Sequence, residues 1–436
     1  MHQRTSNRFG MIEKIISWST HNRFFVWLGI LLIIIGGVFA VVTTPVDAIP
    51  DLSENQVIIY TEWMGRNPKI IEDQVTYPLV SNLQGLPEIK SIRAASMFGM
   101  SFVFVIFNDD VDIYWARSRV LERLNYAQKF LPNGLTPSLG PDGTGVGHVF
   151  WYTLDAPGFN LGELRALQDW YVKFALQKVE GVSEVASFGG FQKQYQVTID
   201  PYKLVYFNVP LMDVTKAITG NNRDVGGSIF EMNSTSYMIR GLGYITSIDD
   251  IKNISLGTYK SVPIKISDVA TVQMSSDLRL GITEQNGDGE VVGGIVVMRY
   301  GENAKEVIDR IKVRITDVEK GLPSGVKFKV AYDRSDLIEA AVATLSEALW
   351  EEILIVSLVV MIFIFHFRSA LVAIITIPLS ILIAFMIIRF AGISLNIMSL
   401  GGVALAIGDL VDAGIVMTEN AYRQLTQAVV KPQSDS

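Results

Sequence analysis

The sequence predicts an α+β membrane protein in which transmembrane helices flank a large water-soluble region of split βαβ units. Three observations predict this class. The 436 residues are 49% hydrophobic and 19% charged, whereas soluble domains have about 25% charged residues. The long apolar stretches are confined to one segment near the N-terminus and three near the C-terminus. Between them, strand and helix patterns follow in the order β-α-β-β-α-β, which defines the split βαβ motif.

The first apolar stretch predicts an uncleaved transmembrane helix. Residues 24–42 contain no charged side chain, and a helix of that length extends about 28 Å, enough to cross the hydrocarbon core of a bilayer. The stretch exceeds the apolar part of a signal peptide, and no small-residue cleavage site follows it. We therefore assign residues 1–23 to a cytoplasmic N-terminus and residues 24–43 to transmembrane helix one.

The segment that follows has the composition of a soluble protein, and its pattern predicts two split βαβ units. The first unit, residues 44–137, has a strand at 56–60, a helix entered through Asn67 and Pro68, a hairpin over 89–107 and a helix over 114–129. The second unit comprises residues 138–180 and 281–335. Residues 181–280, which separate its two parts, are richer in polar and turn-forming residues and predict an inserted subdomain.

Three further apolar blocks predict spans two, three and four over residues 336–366, 370–390 and 395–418, followed by a cytoplasmic tail, 419–436. A single short block could be a buried soluble helix, but three blocks with short connections favour a membrane bundle. Pro378 in the third span is compatible with a bilayer, where neighbouring helices satisfy the freed backbone groups. Basic residues before span one and after spans two and four place the soluble region outside the cytoplasm, in the periplasm of a Gram-negative cell. The predicted protein is thus a multi-pass inner-membrane protein.

Composition and missing motifs exclude several classes of function. The absence of cysteine excludes a disulfide scaffold and thiolate chemistry. The 37 basic and 44 acidic side chains give a net charge of −7, and without a basic tract a nucleic-acid partner is not expected. The sequence has no GxxxxGK[ST] loop, no phosphorylated-aspartate motif and no evident Ser-His-Asp set. Neither ATP-driven pumping, nor an enzyme, nor a bound cofactor is therefore expected.

The fourth apolar block carries three carboxylates, Asp409, Asp412 and Glu419. A charge inside a bilayer is costly and requires a partner, a neutral form or a hydrated cavity. Asp412 and Glu419 are seven residues apart, so they share one helix face at about 10.5 Å along the axis, and Asp409 lies about 60° away. Because burial raises a carboxyl pKa towards neutrality, the pattern predicts a proton relay. The alternatives are solvation of Glu419 at the cytoplasmic interface and a purely structural pairing of Asp409.

Several sequence blocks resemble the heavy-metal efflux branch of the resistance-nodulation-division superfamily of proton-driven transporters. They include TPVDAIPDLSENQVIIYTEW, YWARSRVLERL, GPDGTGVGHVFWY, AYDRSDLI and HFRSALVAIITIPLSILIAF. The resemblance implies that the two split βαβ units are porter subdomains and that the insertion is a docking subdomain. GGVALAIGDLVDAGIVMTEN is similar to the copper/silver type, since Ala406 stands where the zinc/cobalt/cadmium type commonly has an aspartate. The relay acids of the family then fall on Asp412 and Glu419, whereas Asp409 replaces a small residue.

The same resemblance suggests the transported ion and its ligands. Cu(I) and Ag(I) are soft ions that thioether sulfur can bind without thiols, and Met398 and Met417 stand at positions that resemble metal stepping stones. Ordinary packing is the alternative for both methionines. Leu410 and Leu278 occupy positions where this type would be expected to carry methionine. The remaining methionines of interest, Met97, Met100 and Met298, we assign to the core.

The family also implies partners and a larger whole. A homotrimer with a periplasmic adaptor and an outer-membrane channel is expected. Members of this branch consist of two homologous halves, so a second chain could supply the remaining spans and the cationic partner of the relay acids. The function predicted is the N-terminal part of a proton/monovalent-metal antiporter. The alternatives are a truncated, non-transporting scaffold or assembly module, part of a divalent-metal pump, and a relative that moves proteins or lipids.

Overall fold

The computed structural model describes residues 14, 16–277, 279, 281–364 and 367–430. In its last three helices some residues are described by their backbone alone. The strands, in chain order, are β1 (Gln56–Glu62), β2 (Ile89–Met97), β3 (Met100–Phe107), β4 (Ser138–Leu139), β5 (His148–Asp155), β6 (Val182–Gly189), β7 (Lys193–Ile199), β8 (Val225–Met232), β9 (Thr235–Gly241), β10 (Ser255–Tyr259), β11 (Val262–Lys265), β12 (Ala270–Ser276), β13 (Val292–Met298) and β14 (Lys327–Asp333). The α-helices are α1 (Arg23–Thr43), α2 (Pro68–Ile71), α3 (Tyr77–Leu83), α4 (Ile113–Ala127), α5 (Leu161–Leu167), α6 (Lys173–Gln177), α7 (Pro201–Phe207), α8 (Leu211–Gly220), α9 (Ile248–Lys252), α10 (Ile266–Val269), α11 (Ala304–Glu319), α12 (Arg334–Ile364), α13 (Phe367–Phe390) and α14 (Ile397–Val430).

The first soluble unit is an antiparallel sheet with helices on one face. Its strands lie in the order β2-β3-β1-β4, which is the order of a βαββαβ unit. The first helix begins at Asn67, whose side chain accepts a hydrogen bond from the Ile70 amide at 2.9 Å. It is continued by a π-helical turn between α2 and α3. Alternate residues of β1 and β3, among them Val57 and Val103, are fully buried against these helices. In the described part of the chain, the helices of this unit pack on that one face of the sheet.

The second soluble unit repeats this arrangement. Its strands lie in the order β14-β5-β13-β6, with α5, α6 and α11 packed against the sheet core. The sequence-based division placed residues 181–280 in the inserted subdomain, and the structure differs at β6. This strand hydrogen-bonds to β13 along its length, because Val182 and Val185 bury their side chains in the core of the second unit. The insertion therefore consists of the chain between β6 and β13.

The inserted segment has a core of its own. Strand β7 pairs with β12, β10 with β11 and β8 with β9. Val214, Ile266 and Val269 are almost completely buried in a separate apolar cluster. The hairpin of β8 and β9 stands outside this cluster, and every residue of both strands is exposed.

The apolar segments are helical. Among the described residues, one helix, Arg23–Thr43, is long and apolar enough to cross a membrane by length and composition, and Ile375–Phe390 and Ile397–Ala406 are shorter apolar helices. Helix α14 continues to Val430, beyond the end expected at residue 418, because no glycine or proline interrupts residues 418–430. Residues 1–13, 15 and 431–436 of the expected termini and the last two residues of the expected span two lie outside the described residues.

Helices α1 and α13 approach each other closely. A Cβ atom at Gly37 of α1 would stand 2.5 Å from the Cβ of Leu382 in α13. Only a residue without a side chain fits there, which is typical of helix pairs in membranes. Helix α13 in turn contacts α14, and α14 also contacts α12.

Candidate functional site

All five residues predicted to carry protons or metal lie on α14. Asp409, Met398 and Met417 are exposed, the two methionines to 70% and 68%. For Asp412 and Glu419 the helical backbone is described, and their side chains lie outside the described part, as does Leu278 entirely. Met398 and Met417 are separated by about 28 Å of helix, so α14 does not bring the two sulfurs together. The roles assigned to these residues remain predictions.

The N-terminus of α14 is held by a buried cap. Asn396, only 5% exposed, accepts hydrogen bonds through its side-chain oxygen from the amides of Met398 at 3.0 Å and Ser399 at 2.9 Å. The Ser399 hydroxyl, in turn, accepts from the Asn396 amide at 2.8 Å. Such caps satisfy amides that have no partner within the helix, so the first turn of α14 has a defined position.

The chain that leaves α1 is bonded to this cap through its backbone. The Leu395 amide donates to Pro45 O at 2.9 Å, the Asp47 amide donates to Leu395 O at 2.9 Å, and the Ile397 amide donates to Ala48 O at 3.3 Å. Ala48 is fully buried in the core of the second soluble unit. We call residues 45–48 together with 395–397 the junction, because it joins that core to the start of α14.

A buried ion pair supports the junction. Arg334 is the first residue of α12, and its guanidinium lies 3.5 Å from the Asp47 carboxylate. The side chains of Arg334 and Asp47 are 5% and 17% exposed. Burial raises the pKa of Asp47 above its ordinary value, and the positive charge of Arg334 opposes that rise. Arg334 also directly follows β14 of the second sheet. Its neighbour Asp333 is held by Lys312 of α11, so the pair is anchored in the second unit.

A second polar cluster connects the two soluble units. Asp142 accepts hydrogen bonds from Tyr114 of the first unit at 3.2 Å and from Ser183 of the second, and Arg299 lies 3.5 Å away. Burial alone would raise the pKa of Asp142. The hydrogen bond from Ser183 and the charge of Arg299 outweigh that effect, with a further contribution from Tyr114, and the pKa is lowered. The ionised form of Asp142 is therefore favoured, and its carboxylate links the two soluble units.

Sequence reasoning did not single out Asp47, Arg334 or Asp142. All three lie in the blocks quoted above, TPVDAIPD, AYDRSDLI and GPDGTGVG. The available signal was a charged residue next to an apolar segment or among turn-forming residues, a pattern that also fits an exposed loop. The partners of these residues are far away in the chain, so only the fold reveals them.

The methionines assigned to the core fall into two groups. Met298 is 7% exposed and belongs to the core of the second unit. Met97 is 54% exposed and Met100 is half-buried, so the assignment of Met97 to the core was wrong. Both flank the turn between β2 and β3.

Among the described residues there is no group of three or more histidine, cysteine, aspartate or glutamate side chains that could hold a metal ion. The 14 methionines of the chain provide thioether sulfur, a ligand that suits soft metal ions.

Two split βαβ units between apolar helices, the last of which carries carboxylates, are the architecture of a resistance-nodulation-division transporter. The sequence profile described as the AcrB/AcrD/AcrF family matches residues 15–436, and the chain belongs to this family. The resemblance inferred from the sequence motifs is thereby confirmed.

Individual relatives identify the branch. The chain is 49% identical over 420 residues to the putative cation efflux system protein SilA of Salmonella typhimurium. It is 48% identical to the cation efflux system protein CusA of Escherichia coli K12 and 36% identical to the cobalt-zinc-cadmium resistance protein CzcA of Cupriavidus metallidurans. Each alignment covers 96% of this chain and 40% of the relative. A crystal structure of a heavy metal efflux pump superposes with a TM-score of 0.84 at 33% identity, covering 96% of this chain and 43% of that one. The chain thus spans about 40% of the length of the curated relatives it matches.

Proposed function

We propose that this chain is the N-terminal part of a proton-driven cation efflux transporter that exchanges protons for a monovalent soft metal ion, Cu(I) or Ag(I). The observation that carries the proposal is α14. It is a helix of 34 residues that contains Asp409, Asp412 and Glu419 and contacts two other predominantly apolar helices. Ionisable side chains within membrane-spanning segments are rare and typically mark ion or proton pathways. Asp412 and Glu419 are the proposed relay acids, and Asp409 is an additional candidate.

The proposed ion follows from chemistry and similarity. The chain is less similar to the cobalt-zinc-cadmium resistance protein than to SilA and CusA, which makes a divalent-metal pump the weaker alternative. A cysteine-free chain offers thioethers as its soft ligands. Met398 and Met417 are the proposed contacts along α14, where their exposed side chains are available to an ion or to a neighbouring helix.

The proposed location is the inner membrane, crossed by α1, α12, α13 and α14, with the two porter subdomains and the docking insertion in the periplasm. Helix α1 supports this proposal, since Phe24, Trp27 and Phe39 are 73%, 69% and 64% exposed. A helix that is apolar on all sides and not buried within its own protein is suited to lipid.

The proposed assembly is a homotrimer that works with a periplasmic adaptor and an outer-membrane channel. The β8–β9 hairpin supports an oligomer, because Ile229, Phe230 and Met238 on it are 61%, 52% and 82% exposed. Apolar side chains presented together on a projecting hairpin are typical of protein–protein contact surfaces. A second chain, or a continuation of this one, would supply the other half of the transporter.

The test is to replace Asp412 by Asn in the complete transporter and to measure tolerance of silver and copper in cells that lack other exporters. We expect tolerance to fall to that of a deletion strain. The matched control is Asp109→Asn, because Asp109 is a carboxylate of the first soluble unit whose side chain is 84% exposed. Undiminished tolerance in the Asp412 variant would contradict the proposal. Unchanged cell metal content after deletion of the gene would favour transport of proteins or lipids.

A non-transporting scaffold or assembly role is the second candidate. Its signature would be copurification with adaptor or pump subunits that is independent of Asp412, together with no contribution to metal tolerance.

A further inference from the structure

Three methionines meet at one turn of the first soluble unit. Met97 ends β2 and Met100 begins β3, and the two are directly paired across the turn formed by Phe98 and Gly99. The loop after β1 closes over this turn, since the Trp63 amide donates to Gly99 O at 2.8 Å. The sulfur of Met64 then lies 3.0 Å from the position that a Cβ at Gly99 would occupy.

The backbone of the turn requires glycine at its centre. Gly99 has a φ of +71°, which side chains rarely adopt, and a Cβ there would press against the Met64 sulfur. The turn is thus built so that the thioether of Met64 rests directly on the link between Met97 and Met100.

The pairing of Met97 with Met100 brings two further thioethers together. Directly paired residues of an antiparallel hairpin project to the same face with Cβ atoms about 4.5–5.5 Å apart. Two unbranched side chains with three rotatable bonds each can therefore place both sulfurs on one ion. Glu62 of β1 is the partner of Met100 on the neighbouring strand, so a carboxylate projects from the same face. It would compensate the charge of a bound cation.

Most of the side chains at this turn are exposed to solvent. Met64, Met97 and Phe98 are 49%, 54% and 46% exposed, although methionine is ordinarily a buried residue. Met97 and Met100 alternate with Ser96 and Ser101, which contact Thr76 of the helical segment, so they project from the sheet face opposite those helices. Packing within this unit therefore does not account for the three methionines.

We propose that Met64, Met97 and Met100 form a binding site for one soft monovalent metal ion, Cu(I) or Ag(I), coordinated by their thioether sulfurs. Thioethers are neutral and soft, so they select such ions over Zn²⁺ or Mg²⁺, which prefer nitrogen and oxygen ligands. The site lies on the soluble unit, separate from the proposed relay on α14. That it collects ions for transport rests on the proposed function, whereas the binding itself does not.

The experiment titrates the full chain in detergent with Ag(I), and with Zn²⁺ for comparison, by equilibrium dialysis and metal analysis. The absence of cysteine removes thiolates as competing ligands. The test variant is M64L/M97L/M100L, because leucine conserves volume and apolar character but has no sulfur. The control is M212L/M274L in the inserted segment, where the two methionines are also 62% and 47% exposed but lie on separate elements, α8 and β12.

We expect the test variant to bind one Ag(I) per chain fewer than the wild type, and the control to bind as many as the wild type. In the wild-type chain with ¹³C-methyl methionine, the resonances of Met64, Met97 and Met100 should shift together at the first equivalent, and Zn²⁺ should not shift them. An unchanged stoichiometry in the test variant, or three resonances that do not respond, would overturn the proposal. The NMR measurement keeps the test valid if the triple variant folds poorly.

The outcome is independent of the test of transport. Asp412→Asn should leave Ag(I) binding at this turn unchanged. If that variant retains full metal tolerance while the turn binds Ag(I), the proposed antiport fails and the site stands. If metal tolerance depends on Asp412 and the turn does not bind Ag(I), the proposed antiport stands and the proposed site fails.

Discussion

Replacing Arg334 by methionine should loosen the junction between the second soluble unit and α14. Arg334 and Asp47 are 5% and 17% exposed and 3.5 Å apart, and Asp47 also shapes the segment that bonds to Leu395 and Ile397. Methionine retains most of the apolar stem of arginine and removes the charge. The Asp47 carboxylate would then be left partly desolvated with no opposite charge beside it.

The expected magnitude follows from the burial of the pair. Removal of one partner from a buried ion pair costs about 3–5 kcal/mol. We take about 3 kcal/mol because Asp47 keeps some contact with water. A local free-energy change of that size corresponds to about 150-fold faster opening of the amides that the pair protects. The double variant D47N/R334M removes both charges and should lose only about 1 kcal/mol, because an uncharged pair leaves no isolated buried charge.

The assay is hydrogen–deuterium exchange of the full chain in detergent, followed at the amides of Asp47, Leu395 and Ile397. Arg310→Met is the matched control, since Arg310 of α11 is 33% exposed and pairs with glutamates on the surface, where an ion pair contributes at most about 1 kcal/mol. Equal protection of the three amides in the Arg334 variant and the control would show that the Arg334–Asp47 pair does not stabilise the junction. So would a double variant that exchanges faster than the single Arg334 variant.

The pH dependence of this variant has a definite sign. In the folded chain the pKa of Asp47 is already raised above 3.8 by burial and is held back by Arg334. Without Arg334 the pKa should rise further. An acid whose pKa is raised on folding destabilises the folded state as the pH rises above its ordinary pKa, and this cost is complete above the raised pKa. The exchange defect should therefore be full at pH 7 and shrink as the pH falls towards 4. A defect that grows on acidification would contradict this assignment.

Three further predictions concern packing and hydrogen bonds. Gly37→Ala should destabilise the packing of α1 on α13 by about 1–3 kcal/mol through steric overlap. Gly29→Ala should not, because no atom lies within 4 Å of a Cβ at Gly29. Thermal unfolding in detergent distinguishes the two variants. Tyr152→Phe should lower the unfolding free energy by about 1–2 kcal/mol, because it removes the hydroxyl that donates to the side-chain oxygen of the fully buried Gln168 at 3.0 Å. Asp142 has a lowered pKa, so its stabilising contribution is complete above the ordinary carboxyl pKa and is lost as the pH falls through the lowered value; Asp142→Asn should abolish this acid dependence in unfolding experiments.

Much of the soluble fold could be predicted from local patterns. The alternation of apolar residues in β1 and β3 and the cap at Asn67 depend on neighbours in sequence, and the strands and helices of both units lie close to the expected positions. The boundary of the insertion was less accessible. Strand β6 is separated from its partner β13 by an entire subdomain, and turn-rich composition alone does not show where that subdomain begins.

Only part of the candidate functional site could be predicted from the sequence. The carboxylates of α14 stand out in sequence because charge is rare in apolar segments, but their partners depend on contacts between helices. Met97 was misassigned because a methionine beside a strand is usually buried, and exposure depends on which sheet face lacks helices. Arg334 and Asp47 are 287 residues apart in sequence, so no local pattern relates them.

In the proposed antiport, carboxylates on α14 exchange protons as the metal ion moves. The most direct test reconstitutes the complete transporter into liposomes and follows internal pH on addition of Ag(I). We expect Ag(I) to accelerate proton movement in the wild type and in Asp109→Asn, and to have no effect in Asp412→Asn. If the Asp412 variant moves protons in response to Ag(I) as fast as the wild type, the carboxylates of α14 do not form the relay.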